Sequence, residues 1–387
     1  MPRRRRAFSE QEIIDIVLAR INGVRKRGRW PTNRELANQF ERSESQISRA
    51  WTTAFAKGLL RISVPQTSLK TAKRLRGLED HLLEKFRHQE LRDAIVIKGH
   101  ASAVPQGSRS FGHVNDGMHL SLGLAMAEFL TASRIFDNGH IIGIGSGRGV
   151  WYTVDALTQS SRFRAENVTV MSLTGSVHSR GEGRKFWLDA DTHAAMFATC
   201  FDRDVALRLI RRPLTHLAAN DIKSGTLLSQ EEWANYSPTH ALVGVGILVE
   251  GTRFFEEATA QVEDREPILE PIHDSLEFLV RLCRRFSSEN FTPVAEISNH
   301  LLYIHSSDRQ IPESVQKEIK TLIMTINQQM LSMSEDQVSA IDQILLVAGT
   351  AKKALAVREL LVNPRYHVRA LCTDEKTAIW LLTNPVS

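Results

Sequence analysis

The feature that most constrains this chain is a series of short apolar runs in residues 91–387 that alternate with helical patterns. The runs consist mainly of Val, Ile and Leu, and each ends in glycine or a small polar residue. Such strands are typical of a parallel sheet that connecting helices bury on both faces. The sequence therefore predicts an α/β fold with a mostly parallel, doubly wound sheet. The candidate strands are residues 93–99, 140–147, 167–175, 240–246, 343–349 and 368–374, and the candidate helices are residues 120–132, 151–159, 351–361 and 375–383.

One candidate strand, residues 140–147, runs directly into a glycine-rich loop. Glycine stands at 143, 145, 147 and 149, and a helical pattern begins at Trp151. A strand, a glycine loop and a helix in this order present backbone N–H groups to an anion, usually a phosphate. The dinucleotide spacing G-x-G-x-x-G fails, because its last position is Arg148 or Val150, and no P-loop Lys-Ser/Thr pair follows. A tight strand-to-helix connection without a ligand is the alternative.

Several other polar turns follow candidate strands. Because ligands of a doubly wound sheet bind beyond the carboxyl ends of its strands, we expect these turns to converge on one rim. Their N–H groups, hydroxyls and basic side chains suit an anionic, polyhydroxylated small molecule. The rim would consist of Gly145, Ser146, Gly147, Arg148 and Gly149 in the loop, Thr174 and Gly175, the turn with Gly244 and Gly246, and residues 348–353.

No catalytic or metal-binding motif accompanies this rim. The sequence contains no H-E-x-x-H pattern, no G-x-S-x-G elbow and no pair of acids that stands out as an acid–base couple. Asp374 and Glu375 are either a site pair or first-turn acids favoured by the helix dipole. Cys200, Cys283 and Cys372 match no zinc or redox spacing, which indicates reduced core residues. We therefore expect no enzyme, no metal and no cofactor.

The first 64 residues differ in charge from the rest of the chain. They hold 14 Lys and Arg against six Asp and Glu, a balance of +8, whereas the whole chain carries only +5. This excess of positive charge suggests that only the first 64 residues, the basic head of the chain, bind a polyanion. The alternative is a basic N-terminus that is merely solvated.

Neither a membrane span nor an export signal is evident in the sequence. No window approaches the roughly 18 uninterrupted apolar residues of a span, and the basic N-terminus lacks the apolar stretch of a secretory signal. We expect a cytosolic protein.

Three helices are predicted in the basic head, each opened by a capping box. The boxes pair Ser9 with Glu12, Thr32 with Glu35, and Ser43 with Gln46. An alternating stretch at 59–64 predicts a strand after the third helix. This order predicts a winged helix-turn-helix over residues 1–64. The predicted apolar stripes are Ile13, Ile14, Val17, Leu18 and Ile21 in the first helix, Leu36, Ala37 and Phe40 in the second, and Ile47, Ala50, Trp51, Ala54 and Phe55 in the third.

The third helix has a polar N-terminal face that suits the major groove of DNA. Arg49 and Gln46 are the expected base readers, and Ser45 and Ser48 share their face. Arg34, with the basic arm at residues 3–6, would add phosphate or minor-groove contacts. A three-helix protein-interaction module of the same shape is the alternative.

An amphipathic helix is predicted in the linker, residues 65–90. Leu78, Leu82 and Phe86 share one side of it, and charged residues occupy the other. The apolar side is either a dimerisation surface or a face that packs on the body.

The order of these pieces resembles the SorC family of bacterial sugar-binding transcriptional regulators. The head and the last segment carry the most specific part of the resemblance. The similar segments are residues 34–64, like the family's winged helix-turn-helix; 78–97, like its linker helix and first effector-domain strand; 122–157, like its helix and glycine loop; 168–177 and 241–246, like two inner strands; and 345–382, like the closing strand-helix-strand-helix.

The resemblance implies a non-catalytic effector domain, similar in fold to sugar-phosphate isomerases, over residues 91–387. Such a domain binds phosphorylated sugars that change how an oligomer, a dimer or tetramer, holds its operator DNA. Carried over to this sequence, Gly145 to Gly149 would cradle the phosphate or sugar, and Thr174 and Gly175 would line the pocket. Lys353 would match the family's ligand-facing lysine, and its neighbour Lys352 would be a surface lysine.

The sequence departs from the family pattern in two places. After residues 241–246 the family carries an aspartate that contacts the sugar, and this chain has none there. Residues from about 265 to 335 are extra and are predicted to be helical. Two other functions therefore stay open: a regulator without a small-molecule ligand that acts through oligomerisation, and an enzyme like a sugar-phosphate isomerase.

Overall fold

The computed structural model of the chain contains two compact units. One includes the described residues up to 56, and the other includes those from 73 onward. The structure describes residues 9, 11–16, 18–19, 31–56, 73–98, 116–160, 163–175, 189–202, 205–210, 237–249, 253–259, 267–287, 292–305 and 311–384.

The second unit is built on one sheet with the strand order β1-β9-β8-β5-β2-β3-β4, in which all neighbours are parallel. All six predicted strands are present, which confirms the parallel sheet. The short strand β4 was not predicted, because its three residues are exposed and form no apolar run. The strands are β1 (Asp93–Ile97), β2 (Ile141–Ile144), β3 (Thr169–Ser172), β4 (Ala206–Arg208), β5 (His240–Ile247), β8 (Gln343–Val347) and β9 (Val368–Asp374).

Helices cover both faces of this sheet, as the doubly wound prediction requires. On one face, α5, α6 and α7 bury residues such as Leu122, Val154 and Phe197 in one hydrophobic cluster. On the other face, α4, α12 and α13 bury residues such as Leu360 and Leu381 in a second cluster. These helices are α4 (Arg76–Lys85), α5 (Asp116–Ser133), α6 (Arg148–Ser160), α7 (Ala190–Ala198), α12 (Ala354–Val362) and α13 (Glu375–Thr383).

The predicted linker helix α4 packs against the body of the second unit. Leu82 and Phe86 are fully buried in the cluster that covers that face of the sheet. The Glu79 carboxylate accepts a hydrogen bond from the backbone N–H of Val96 in β1 at 3.0 Å and from Arg74 at 2.8 Å. Of the two roles open for its apolar side, the structure shows packing on the body.

The prediction that residues 265–335 are helical is wrong in its middle part. Residues 294–303 form a β-hairpin, and its first strand pairs antiparallel with the end of β5. Helices on either side bury a third hydrophobic cluster with it. The elements of this region are α8 (Arg253–Thr259), a 3₁₀ turn (Pro267–Ile272), α9 (His273–Arg284), β6 (Val294–Ile297), β7 (His300–Tyr303), α10 (Glu313–Gln329) and α11 (Glu335–Ser339).

The first unit contains the three predicted helices with their capping boxes. They are α1 (residues 11–16 and 18–19), α2 (Asn33–Gln39) and α3 (Glu44–Ala56), and four residues join α2 to α3. The box side chains accept the N-cap N–H groups: Glu12 from Ser9 at 2.8 Å, Glu35 from Thr32 at 2.7 Å and Gln46 from Ser43 at 2.9 Å. The predicted strand at 59–64 lies outside the described residues.

A small core of Ile13, Ile16, Leu36, Ala37, Ile47 and Ala50 holds these helices together. The predicted stripe of α1 is partly wrong, because Ile16 is buried whereas Leu18 is 49% exposed. Helix α1 therefore presents the face with positions 13 and 16 to the core. The predicted core positions Val17, Ile21, Trp51, Ala54 and Phe55 have side chains outside the described part of the chain.

The structure also bears on the cysteines, on metal binding and on membrane crossing. Cys200, Cys283 and Cys372 are buried and form no disulfide bond, which agrees with their prediction as core residues. Within the described ranges, no group of three or more His, Cys, Asp or Glu is arranged to hold a metal ion. In the same ranges, no helix combines the length and the apolar character that crossing a membrane needs.

Two buried histidines make the stability of the second unit depend on pH. Burial lowers the pKa of His240 and of His300 from 6.5 to about 4. The unfolded chain therefore binds more protons than the folded one between these values, so stability falls as the pH drops from about 6.5 towards 4. We expect the double variant His240→Gln, His300→Gln to lose less stability than the wild type between pH 7.5 and pH 5, measured by urea unfolding.

The exposed His88 provides the control for this measurement, because His88→Gln removes a histidine without changing a buried one. If the stability of the double variant changed with pH as steeply as that of the wild type, His240 and His300 would not be the source of the pH dependence.

Candidate functional site

The topology of the sheet creates a crevice over β5. The chain leaves β2 for α6 on one face, and it leaves β8 for α12 on the other. β5 lies between these two strands, so the connections diverge above it, as at the topological switch point of a doubly wound sheet. Gly244 of β5 forms the floor, where an added Cβ would lie 3.6 Å from the Ser146 carbonyl oxygen and 3.7 Å from that of Val347.

The glycine loop becomes a helix earlier than predicted. Helix α6 begins at Arg148 and not at Trp151, and its first hydrogen bond runs from the Trp151 N–H to the Gly147 carbonyl at 2.9 Å. Arg148 and Gly149 therefore belong to the first helical turn, whose N–H groups have no acceptor within the helix. Gly147 has φ +119°, a conformation that glycine adopts without strain. This helix end is suited to an anion.

Both backbone groups of Gly145 are held by the protein. Its N–H donates to the Leu242 carbonyl at 2.9 Å, and its carbonyl lies 3.0 Å from Nδ1 of His193. His193 lies on α7, is fully buried and packs beside the Trp151 ring at 5.5 Å between centroids. The imidazole thus fixes the start of the loop. His193 is a residue that sequence reasoning missed, because no motif distinguishes it among 14 histidines.

Two basic side chains and one acidic side chain interact in the crevice. Burial lowers the pKa of Lys353, whereas the charge of Glu296 opposes this shift and that of Arg148 adds to it. Lys353 lies on the 3₁₀ turn that follows β8, Arg148 begins α6, and Glu296 comes from the hairpin strand β6. The predicted Arg148 and Lys353 therefore lie on the two connections that flank β5, and Glu296 is a nearby carboxylate that the sequence analysis did not include. Lys352, in contrast, is exposed.

The turn before Lys353 is held in a strained conformation. Thr350 has φ +86°, which a β-branched residue rarely adopts. Its N–H donates to the Asp374 carboxylate at 2.6 Å, and that carboxylate also accepts from the N–H of Thr377 at the start of α13. Asp374 is therefore the N-cap of α13, and its carboxylate also holds the loop above β8 by a hydrogen bond. With Glu375 in the first helical turn, the structure supports the helix-end interpretation of this pair.

The predicted pocket residues Thr174 and Gly175 are covered by other parts of the chain. The Thr174 hydroxyl is buried, accepts from the Asn299 amide at 3.1 Å and donates to the Leu331 carbonyl at 3.3 Å. The Gly175 N–H donates to the same carbonyl at 2.7 Å. These two residues therefore lie under the hairpin and the segment at 330–333, and their predicted contact with a ligand stays a prediction.

The hairpin residues near the crevice were also missed. Ser298 and Asn299 form a two-residue turn with φ +48° and +65°, between strands of apolar residues. A short polar turn between such runs is a hairpin signal. Each flanking strand has only four residues, too few to establish a strand period, so this signal alone does not outweigh the helical pattern predicted for residues 265–335.

The predicted DNA-contacting side chains lie on α2 and α3 of the first unit. Arg34, Ser45, Ser48 and Arg49 are exposed. The Arg49 guanidinium donates to the Ser45 carbonyl at 3.4 Å. The Gln46 amide oxygen accepts the Ser43 N–H in the capping box, so Gln46 has a structural role in addition to its predicted one.

The contact between Gly145 and the hairpin turn can be tested directly. A Cβ on Gly145 would lie 2.4 Å from the Ser298 hydroxyl oxygen, so we expect Gly145→Ala to lower the free energy of unfolding by about 1–3 kcal/mol. Adding Ser298→Gly should restore part of the loss, because it removes the clashing atom and suits the positive φ. Urea unfolding of the single and double variants measures this coupling.

Gly147→Ala is the matched control, because its Cβ would meet open space and only backbone strain would result. In this background Ser298→Gly should change the stability only by as much as it does in the wild-type chain, through the relief of its own positive φ. Equal rescue of both alanine variants would refute the contact.

Comparisons with known proteins give no match by sequence and clear matches by structure. The sequence matches no protein-family model, and a search of curated proteins finds no match. The full-length sorbitol operon regulator SorC from Klebsiella pneumoniae is similar in structure, with a TM-score of 0.54 and 18% identity over 96% of this chain and 99% of that chain.

Two shorter structures give the same result. A probable sor operon regulator from Shigella flexneri has a TM-score of 0.52 and 18% identity over 80% of this chain and 99% of its own. A putative sugar-binding domain of a transcriptional repressor from Vibrio fischeri has a TM-score of 0.52 and 15% identity over 80% of this chain and 98% of its own. The chain therefore has the fold of SorC-type operon regulators, the family that its sequence resembles.

Proposed function

We propose that the protein is a cytosolic, DNA-binding transcriptional regulator whose effector domain binds a phosphorylated sugar or a related metabolite. The observation that carries this proposal is the crevice over Gly244. The N-terminal end of α6, Arg148 and Lys353 converge there at the topological switch point of the sheet. A helix end and two cations together suit a phosphate group. The likeness of the fold to that of SorC from Klebsiella pneumoniae supports the same function.

The domain organisation follows from this function. Residues 1–64 would be the winged helix-turn-helix, residues 65–90 the connection with its helix, and residues 91–387 the effector domain. In the first unit, α2, four connecting residues and α3 have the order of a helix-turn-helix, and the exposed Arg34 and Arg49 give it a basic surface. Arg49 and Gln46 would contact bases, and Arg34, Ser45 and Ser48 would position the helix on the duplex.

Regulation requires that the effector favour one of two states of the protein. The protein would act as a dimer or tetramer, and the effector would shift its affinity for DNA by no more than its own differential affinity for two arrangements of the oligomer. A regulator without a ligand and an isomerase-like enzyme are the competing functions. The first predicts that no sugar phosphate stabilises the protein, and the second predicts turnover of the sugar phosphate.

The effector proposal predicts a thermal shift with a phosphorylated sugar. A ligand at 100 times its dissociation constant should stabilise the protein by about 2.7 kcal/mol. We expect Lys353→Ala and Arg148→Ala to abolish the shift, because each removes a cation from the crevice. The shift should also weaken at alkaline pH, because burial lowers the pKa of Lys353 and the amine loses its charge earlier than an ordinary lysine does.

Lys352→Ala is the matched control, since it removes an exposed lysine one residue away. It should bind the effector as the wild type does. Loss of binding in Lys352→Ala, or its retention in Lys353→Ala, would refute this placement, and conversion of the sugar phosphate to a product would favour the enzyme.

The DNA proposal predicts a loss of binding in Arg49→Ala. With a duplex that the wild-type protein selects from a random pool, we expect the variant to lose about 1–3 kcal/mol of binding free energy. The variant should also select a less restricted base at one position, because a side chain that reads a base carries specificity. Fluorescence anisotropy at several salt concentrations measures both affinity and salt dependence.

Arg92→Ala is the control for charge, because Arg92 is an exposed arginine of the second unit. It should leave the affinity unchanged. An Arg49→Ala protein with wild-type affinity and salt dependence would show that α3 is not the recognition helix.

A further inference from the structure

A cleft of about 920 Å³ lies between the hairpin and the body of the second unit. It is lined by β7, by one side of α10, by residues 330–337, and by the end of α12 with the residues that follow it. This volume is in the range of small-molecule sites. The described residues that line the cleft include none from the glycine loop, from β5 or from the turn with Lys353, so the cleft is separate from the crevice.

Apolar side chains form much of the lining of the cleft. Met324 of α10 is 55% exposed, although most large apolar side chains of the described residues are buried. A methionine side chain adapts its shape to an apolar partner. The cleft therefore suits a ligand with an apolar body. Its apolar lining consists of Leu301, Leu302, Ile323, Met324, Met330 and Leu331.

The charged side chains around the cleft already interact within the protein. The Arg365 guanidinium donates to Glu335 at 3.0 Å and to Asp336 at 2.7 Å. The Lys320 ammonium lies 4.4 Å from the centroid of the Tyr303 ring, which is a cation–π distance. A charged ligand would have to compete with these contacts.

Carboxylates outnumber cations among the described residues of the lining. Glu359 of α12 also lines the cleft and is only 6% exposed. Together with the two carboxylates that Arg365 binds, it faces two cations, Arg365 and Lys320. An anionic ligand would be repelled by this excess of negative charge.

Asn327 of α10 fixes the orientation of the buried His300 at the cleft. Its amide oxygen accepts the Leu301 N–H at 2.9 Å, so its amide nitrogen is the atom that faces the imidazole. This nitrogen donates one N–H to the Leu301 carbonyl at 2.8 Å and the other to Nε2 of His300 at 3.1 Å. Nε2 therefore acts as a hydrogen-bond acceptor.

The other ring nitrogen of His300 is left as a donor. Burial lowers the pKa of His300 to about 4, so the ring is neutral at neutral pH and carries its one proton on Nδ1. His300 lines the cleft and is only 7% exposed, and within the part of the chain that the structure describes its Nδ1 makes no hydrogen bond. A donor so far removed from water is costly without an acceptor.

We propose that the cleft is a second ligand site, which binds a neutral carbonyl compound with an apolar body through the Nδ1–H of His300. The carbonyl oxygen supplies the missing acceptor, which an ammonium group cannot do, and it brings no charge to the carboxylates. This site goes beyond the proposed function, because no residue of the crevice takes part in it.

The test uses three probes with the same six-carbon chain: hexanamide, hexanoate and hexylamine. The full chain is labelled at its methionine methyl groups and titrated with each probe while NMR spectra are recorded. We expect hexanamide to shift the methyl signals of Met324 and Met330, which line the cleft, and to leave that of Met126 on the other face of the sheet unchanged. Hexanamide should bind at least about tenfold more tightly than the two charged probes.

Two substitutions of His300 separate its two nitrogens. In His300→Gln, the amide reaches the position of Nε2 and can still accept from Asn327, but the donor on the atom bonded to Cγ is lost. In His300→Asn, the amide nitrogen is bonded to Cγ as Nδ1 is, so the donor is kept and the contact with Asn327 is lost. We expect His300→Gln to bind hexanamide about tenfold more weakly and His300→Asn to bind it nearly as the wild type does.

Lys353→Ala is the control for the crevice and should bind hexanamide as the wild type does, whatever its effect on a sugar phosphate. In the wild type, equal or tighter binding of hexylamine or hexanoate would overturn the class of ligand. Equal hexanamide affinity of the Gln and Asn variants would overturn the role of His300. Unchanged Met324 and Met330 signals with all three probes would overturn the site itself.

Discussion

The divergence of two connections above β5 is the constraint on which the rest of the second unit depends. Because β2 leads to a helix on one face and β8 to a helix on the other, the sheet must open above the strand between them. That strand carries Gly244 and Gly246 where the carbonyl of Ser146 and the side chain of Glu296 approach closely. Glycine at both positions lets the glycine loop and the hairpin approach β5 closely. The crevice itself is a product of the topology of the sheet.

The hairpin beside this crevice has its own hydrophobic core. β6 continues the sheet by pairing antiparallel with the end of β5, and α9 and α10 bury a separate hydrophobic cluster around it. This cluster supports the hairpin, so the contact of the hairpin with Thr174 does not depend on a ligand. The same region supplies the carboxylate of Glu296. In the sequence analysis, the family's aspartate after residues 241–246 was found to be missing, and Glu296 was not identified as a candidate.

The sequence was most informative where one physical signal dominates. The six strands and the helices α4, α5, α6, α12 and α13 were predictable because buried runs and helical stripes have different periods, whereas α7 and α8 were not predicted. The three capping boxes were found because their spacing is fixed. The hairpin was not, because each of its strands has only four residues, too few to establish a period. His193 and Glu296 had no local signal, since tertiary packing alone brings them to Gly145 and Lys353. Lys353 itself was predictable only from the family resemblance.

A continuous set of contacts leads from the crevice to α4, the described helix of the second unit that comes first in the chain. Thr350 is tied through Asp374 to the start of α13, and at the other end of α13 the Lys85 ammonium of α4 donates to the carbonyls of Leu381 and Leu382 at 2.8 and 2.9 Å. A cation at a helix C-terminus is favourable for the helix dipole as well. The strained turn at Thr350 and the N-terminus of α13 share the Asp374 carboxylate, so any displacement of the turn would change the hydrogen bonds that cap α13. An effector can use this route only if its affinity differs between the two positions of the turn, because a ligand shifts an equilibrium by its differential affinity and by nothing else.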